Sequence, residues 1–504
     1  MSSLRLLTNA ASGAGLLVVQ VLVTFMVTPI FLGRLGTEAY GTWELVVAFV
    51  GNISLLELGF GQASIRGAAN AVGRQSREGL ISTVSNCFFM LTALGVLGML
   101  IALAATPWAD EILNVGSSFG RVATIVLLLG ALQVLVRFVI TACVSISYGL
   151  QMHAMVNGVR IVVLVISSSI AVFVIPSAPV AGLLWMALIA AASVLVQLLA
   201  VMYFLFREIG AAFSIKAVTL STIKDFWAYG ARSSVIQGAG TLMGNFTPFA
   251  VAHVIGTASV PFLTIANRLA DYVYTLGSTL GMPLTPYLAE IDAKGTDSER
   301  FRSAYLSATR ILMCFALGLP MGLVFFGPDA LRLWLGESIS SHAGLPLRVL
   351  CVALLAQGVA TNAFRVLLVR NAHAPVAWTA AVGAVACSVL CWPMTAWFGV
   401  AGAAGAWLLY QIILATAELR TCCRIAGWSV PELLQETAGR YIGPLIILCI
   451  ASVACRWISS PQTWFVLLAE VAIAGALYLA AVWVQALTSV ERDALRRIVS
   501  RFTL

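Results

Sequence analysis

Apolar stretches of about 20 residues recur from residue 10 to residue 487, and this repetition constrains the fold more than any single motif. A helix of that length spans the hydrocarbon of a bilayer while satisfying its own backbone hydrogen bonds. Fourteen such stretches fit the pattern: 10–33, 40–64, 80–105, 121–149, 160–176, 180–206, 228–254, 259–287, 304–327, 346–369, 375–397, 400–419, 441–458 and 463–487. The polar gaps between them are too short to build separate soluble domains. With 60% hydrophobic and 10% charged residues, the 504-residue chain reads as an all-α integral membrane protein. The first stretch lacks a convincing small-x-small cleavage site and is expected to be a retained helix. The ten cysteines are scattered, mostly within apolar stretches, without metal-ligand spacing, and are expected to be small core residues.

The two halves match at a constant shift. Thr28-Pro29 answers Thr247-Pro248, Gly36-Thr37 answers Gly256-Thr257, Pro107 answers Pro328, His153-Ala154 answers His373-Ala374, and Val180-Ala181-Gly182 answers Val400-Ala401-Gly402. Each match alone is weak in an Ala/Leu/Val-rich chain; their common offset argues for duplication. Six spans per copy return the chain to its starting side, so the copies share one topology and relate by a pseudo-twofold along the membrane normal. The expected organisation is an N-lobe over 1–206, a linker over 207–227, a C-lobe over 228–424, and two further helices with a basic tail over 425–504.

Lysine and arginine set the orientation. With the N-terminus inside, 20 fall at cytoplasmic ends, 5 at external ends and 4 within spans, which places both termini in the cytoplasm. The net charge of +8 follows largely from this asymmetry and matches an anionic inner leaflet, so no nucleic acid partner is implied.

The first copy carries Leu35-Gly36, Tyr40-Gly41-Thr42-Trp43, Leu56-Glu57-Leu58-Gly59-Phe60-Gly61 and Arg66. Together with the 6 + 6 + 2 layout, this resembles the polysaccharide-transporter (Wzx-type flippase) branch of the MOP exporter superfamily. Glu57 stands where such proteins usually carry Asp. The resemblance implies two lobes around a cavity open alternately to either side, with an extra helix pair offering a groove for a lipid tail. It also implies a flippase that moves an undecaprenyl-pyrophosphate-linked oligosaccharide from the inner to the outer leaflet of a bacterial cytoplasmic membrane, for surface polysaccharide synthesis. Implied partners are that lipid-linked substrate, membrane lipid, and polymerase and chain-length/export proteins of a polysaccharide pathway.

The intramembrane charges are the candidate site residues, because an ionised group at a helix centre costs about 2.5–3.5 kcal/mol on insertion scales unless it is paired or wet. Arg137, mid-span and far from either interface, is the first candidate for contacting a pyrophosphate, whose oxygens suit a guanidinium fork. Arg268 and Asp271 lie one turn apart on span 8: either a self-paired structural dyad, or an anion site with a carboxylate that binds a proton or sodium ion. Arg232 and Arg365 lie nearer the cytoplasmic ends, where snorkelling is available. The repeat offset sets Arg137 against Gln357 and Arg365 against Ser145, a staggered ladder if both face one cavity. Arg66 and Asn70 end span 2, either at a cavity mouth or as a positive-inside anchor. Glu57 is a second ion-coupling candidate, with Glu470 and Glu44 behind it. Pro29 and Pro248 are expected to kink the leading helix of each copy, and Gly59 and Gly61 to permit bending or close packing. His153 and His373 read as inherited turn structure. No metal site is expected, nor a cofactor beyond a coupling proton or sodium ion.

Two other functions compete. A cation-coupled drug exporter of the same superfamily would need 12 spans and a more carboxylate-dominated cavity. A membrane polymerase or ligase would need acid/base or metal-binding residues at a membrane face. The expected external segment 327–345 offers only Asp329, Arg332, Glu337 and His342. Fourteen spans with four intramembrane arginines favour transport of an anionic lipid, and no enzyme activity is expected.

Overall fold

The computed structural model describes residues 3–57, 59–115, 119–210, 213–293 and 298–502, with no strand among them. In chain order the helices are α1 (Ser3–Ile53), α2 (Phe60–Gly73), α3 (Arg77–Ala105), α4 (Ala109–Leu113), α5 (Gly120–Gly149), α6 (His153–Val174), α7 (Pro179–Ile209), α8 (Leu220–Val254), α9 (Val260–Gly281) and α10 (Leu284–Ala293). They continue as α11 (Ser298–Leu335), α12 (Glu337–Val359), α13 (Ala363–Val369), α14 (Ala374–Phe398), α15 (Val400–Ala426), α16 (Val430–Glu436), α17 (Ile442–Ile458), α18 (Trp464–Ala481) and α19 (Ser489–Phe502).

Eleven helical stretches among the described residues are long and apolar enough to cross a bilayer. One of them, Ala11–Glu57, holds the first two expected spans on either side of Gly36, whose φ of 76° interrupts helical geometry. Expected spans 7 and 8 are α8 and α9, whose polar residues lower their hydropathy. Each of the fourteen expected stretches thus coincides with helix among the described residues, and eleven helical stretches have the length and hydropathy of a span.

Three expected boundaries change. Span 2 is not one helix: it ends in a 3₁₀ turn at Ser54–Glu57 and restarts at Phe60 after Gly59, which is left-handed at φ 76°. Span 10 divides into α12 and α13 around residues 360–362. The expected external segment 327–345 is helical, because α11 runs to Leu335 and α12 begins at Glu337 across Gly336, at φ 88°. Ser340 Oγ donates to Pro328 O at 2.7 Å and ties that hairpin. Hydropathy locates apolar runs but does not register a polar helix end that continues beyond the hydrocarbon.

Packing separates the chain into Met1–Pro261 and Phe262–Leu504. The expected lobe boundary was the linker at 207–227, one helix earlier; α8 packs within the first unit against α1 and α2. The duplication is legible in local backbone geometry. Gly36 and Gly256 both have positive φ, and so do the non-glycine turn residues Gln151 and Asn371, which also stand 220 apart. Thr28 and Thr247 are both buried, and Pro29 and Pro248 both lie inside helices.

The appended helices α17 and α18 pack on α11 in the second unit, with Met313, Leu317, Tyr441, Leu448, Leu467 and Tyr478 in the buried seam. Polar contacts fix both ends of this seam. Arg456 and Arg332 pair with Asp329 at one end. At the other, Arg310 on α11 binds Glu491 on α19, Nε at 2.8 Å and Nη2 at 2.7 Å, with the residues only 7% and 3% exposed. Thr488 N donates to Glu491 Oε2 at 2.9 Å, and Glu491 N returns a bond to Thr488 Oγ1 at 3.4 Å, a capping box that starts α19. Burial raises the Glu491 pKa, but the Arg310 hydrogen bond, the Thr488 N–H and the Arg310 charge outweigh it and hold the carboxyl below the usual range.

Glu491→Ala strands the buried Arg310 charge and should destabilise the purified protein by about 3–5 kcal/mol near neutrality, read as a shifted denaturation midpoint. Because the folded pKa is depressed, the pair stabilises fully above the ordinary carboxylate range and is lost as pH falls through the folded value. The deficit of the variant should therefore shrink on acidification, and a deficit independent of pH would contradict the pair.

Candidate functional site

The first unit contains a cavity of about 400 Å³ between α1, α5, α6 and α7. Its polar lining is Gln20, Arg137, Thr141, Arg160, Ser167, Ser193 and Gln197, and no carboxylate is among the lining residues. Arg137 lies 17 residues into α5, on the exposed side of that helix. Among the described residues no hydrogen bond or ion pair reaches its guanidinium, and only its carbonyl is engaged, by Thr141 Oγ1 at 3.0 Å. Arg160 faces the same cavity from α6, two turns beyond the helix start at His153.

Arg160 is positioned by a polar chain. Its Nη1 donates to Tyr148 Oη at 3.3 Å, Tyr148 Oη to Asn157 Oδ1 at 3.5 Å, and Asn157 Nδ2 to Ser12 Oγ at 3.0 Å. Asn9 closes the chain: its Nδ2 donates to Gln151 O at 3.2 Å and its Oδ1 accepts from Ala154 N at 3.3 Å. His153 stacks on Tyr148 with ring centroids 4.3 Å apart. These contacts join α1 to the α5–α6 turn and hold Arg160, which lines the cavity. Two guanidiniums, two carboxamides and three hydroxyls, with no anion to neutralise them, form a binding surface for an anion bearing several oxygens.

The second unit has a counterpart of about 570 Å³ between α14 and α15, lined by Thr379, Ile413, Thr416, Ala417, Arg420 and Arg424 among others. Across the 220-residue offset, Ala380 replaces Arg160, Ala417 replaces Gln197 and Gln357 replaces Arg137. Its arginines sit at the basic end of α15, which continues as Arg420 and Arg424. The larger cavity therefore lacks mid-helix cationic chemistry, and volume is the weaker guide.

The other candidates separate by environment. Arg365 is fully engaged by neutral oxygens: Nε with Asn362 Oδ1 at 3.2 Å, Nη1 with Thr285 Oγ1 at 3.2 Å and Nη2 with Ser278 O at 2.9 Å. It clamps α13 to α9 and the start of α10. Arg268 and Asp271 lie one turn apart on α9 within electrostatic reach, Asp271 on the exposed side. Tyr274, a turn further, senses Asp271, Arg365 and Glu418. Glu57 accepts a hydrogen bond from Gly61 N and so caps α2. A Cβ on Gly61 would strike that carboxylate and lie 2.9 Å from Ser145 Oγ, so any larger residue there must displace the Glu57 side chain. Arg66 and Asn70 share one exposed side of α2. Arg232 lies in α8, but its side chain is outside the described residues.

Two functional candidates escaped the sequence reading. Arg160 stands at the edge of the apolar stretch 160–176, whereas α6 starts at His153. Glu418, 3% exposed within α15, accepts from Gln357 Nε2 at 3.5 Å. It lay at the last position but one of an apolar stretch, where a charge reads as an end signal.

Residues 31–342 match the family described as polysaccharide biosynthesis protein. An uncharacterized membrane protein, EpsK, of Bacillus subtilis (strain 168) is 22% identical over 344 residues, covering 67% of this chain and 66% of its own length, so the chain spans just under two thirds of that relative. Among solved structures, the lipid II flippase MurJ in an inward closed conformation aligns with a TM-score of 0.65 at 14% identity, over 94% of this chain and 97% of its own. An inward-facing multidrug resistance MATE transporter of the MOP superfamily aligns with a TM-score of 0.64 at 16% identity, over 81% and 96%. At these identities the likeness establishes the shared all-α fold. The family match covers more than half of the sequence, and the chain belongs to the polysaccharide biosynthesis protein family, as a multi-pass membrane protein.

Proposed function

We propose that this protein flips an undecaprenyl-pyrophosphate-linked oligosaccharide from the inner to the outer leaflet of a bacterial cytoplasmic membrane by alternating access, for surface polysaccharide synthesis. The observation that carries this reading is the carboxylate-free cavity in which Arg137 and Arg160 converge. A pyrophosphate crossing a bilayer must exchange hydration for donors fixed along its route, and two guanidiniums supply them without a counter-ion to displace. Gln20, Gln197 and the hydroxyls offer donors and acceptors suited to the first sugars. The lipid tail stays in hydrocarbon. Both termini face the cytoplasm, as the lysine and arginine distribution supports. Arg66 and Asn70 meet the head group at the cytoplasmic mouth, and Arg268 supplements the anion path.

Coupling to a proton or sodium gradient falls to Asp271, exposed and beside Arg268, with Glu57 as the second carboxylate. Pro29 and Pro248, and the break at Gly59 and Gly61, supply the bends that rocking helices require. Polymerase and chain-length or export proteins of the pathway are the expected functional partners.

Liposomes carrying a labelled undecaprenyl-pyrophosphate oligosaccharide test this. Arg137→Ala and Arg160→Ala should each slow translocation by roughly 10–100-fold, the scale of a lost charged hydrogen bond, and Arg137→Lys should retain part of the rate. Wild-type rates in both alanine variants would refute the cavity role. Asp271→Asn should leave downhill exchange of the lipid intact while abolishing its acceleration by an imposed ion gradient; unchanged acceleration would remove Asp271 from the coupling.

A further inference from the structure

We propose that the groove between α14 and α15 binds one anionic glycerophospholipid, with the phosphate on Arg420 and Arg424. The groove holds about 570 Å³, and its lining is ordered by polarity. Along α15, Ile412, Thr416, Arg420 and Arg424 recur every four residues and form one exposed stripe that passes from hydrocarbon to hydroxyl to guanidinium. From α14, Pro375 and Thr379 line the same groove. A glycerophospholipid presents the same order: acyl chain, ester oxygens, phosphate. Ile412 to Arg424 covers about 18 Å of helix axis, close to the depth of a single leaflet, about 15 Å of hydrocarbon plus its head groups.

The groove faces lipid. Val382 and Val389, seven and fourteen residues from Pro375, continue its side of α14 and are 64% and 66% exposed. Because α14 has the length and hydropathy of a membrane span, that exposed apolar side lies in hydrocarbon. Among the described residues no hydrogen bond or ion pair engages the guanidinium of Arg420 or Arg424, and no carboxylate is among the lining residues. The acids nearest in the chain are turned elsewhere: Glu418 is buried and accepts from Gln357, and Glu432 and Glu436 face Arg302. Two cations without a counter-ion favour a net anionic head group over a zwitterionic one. The lining residues include no carboxamide, whereas Gln20 and Gln197 line the cavity of the first unit, so a phospholipid suits this groove better than a glycosylated carrier.

The full chain in non-ionic detergent, stripped of lipid and titrated with phosphatidylglycerol or phosphatidylcholine of matched acyl chains, tests the proposal by native mass spectrometry. Wild type should hold one phosphatidylglycerol at least about tenfold more tightly than phosphatidylcholine. The Arg420→Gln, Arg424→Gln variant should lose that preference with its denaturation midpoint unchanged, and Arg424→Gln alone should keep part of it. Arg492→Gln, Arg496→Gln removes the same charge from α19 and should leave the preference intact. Inorganic phosphate at the lipid concentration should not displace the lipid, because it gains nothing from the apolar end of the groove. No preference in wild type, a preference that survives in the Arg420→Gln, Arg424→Gln variant or is lost equally in the α19 variant, or displacement by phosphate alone, would overturn it.

Discussion

A charged side chain inside a bilayer must find a partner, reach the interface or sit in water, and several arginines of this chain show which solution each has taken. Arg310 has Glu491, Arg456 and Arg332 share Asp329, and Arg370 has Asp292 at 3.5 Å. Arg34 donates to the carbonyls of Val172 and Ile175, Arg348 to that of Val324 at 3.1 Å, and Arg365 to three neutral oxygens. Arg137 has none of these among the described residues, and it opens onto a cavity. A guanidinium kept without a partner in mid-helix is stable only where water or a ligand solvates it. The functional reading grows from this one unresolved charge.

The cavity is also where the two copies of the repeat part company. Turn geometry has persisted, in the positive φ of Gly36 and Gly256 and of Gln151 and Asn371, because reversing a chain at a helix end tolerates few conformations. Lining chemistry has not: Arg137, Arg160 and Gln197 of the first copy correspond to Gln357, Ala380 and Ala417 of the second. The second copy instead buries Glu418 beside Gln357. Scaffold positions and lining positions have therefore followed different constraints within one chain.

The fold was largely legible in the sequence because the bilayer imposes a length and a polarity on every helix. Fourteen spans and the duplication follow from apolar runs and a constant offset. Helix interruptions were less legible: the break before α2 depends on Glu57 capping a helix whose start is fixed by the left-handed Gly59, which hydropathy does not register. Arg137 was visible as a charge far from either interface. Arg160 was hidden because α6 extends seven residues below its apolar run, and Glu418 because it stands at the edge of one. Neither periodicity nor composition distinguishes a clamp such as Arg365 from a free guanidinium, since that depends on contacts with α9 and α10.

The central claim is that the α1–α5–α6–α7 cavity receives the pyrophosphate of a lipid-linked sugar. An electron cryomicroscopy structure of the protein in nanodiscs with an undecaprenyl-pyrophosphate oligosaccharide tests it most directly. The account predicts phosphate density within hydrogen-bonding distance of both Arg137 and Arg160, lost in the Arg137→Ala protein. Phosphate density confined to the α14–α15 cavity, or bound lipid-linked sugar with the first cavity filled only by water, would contradict it.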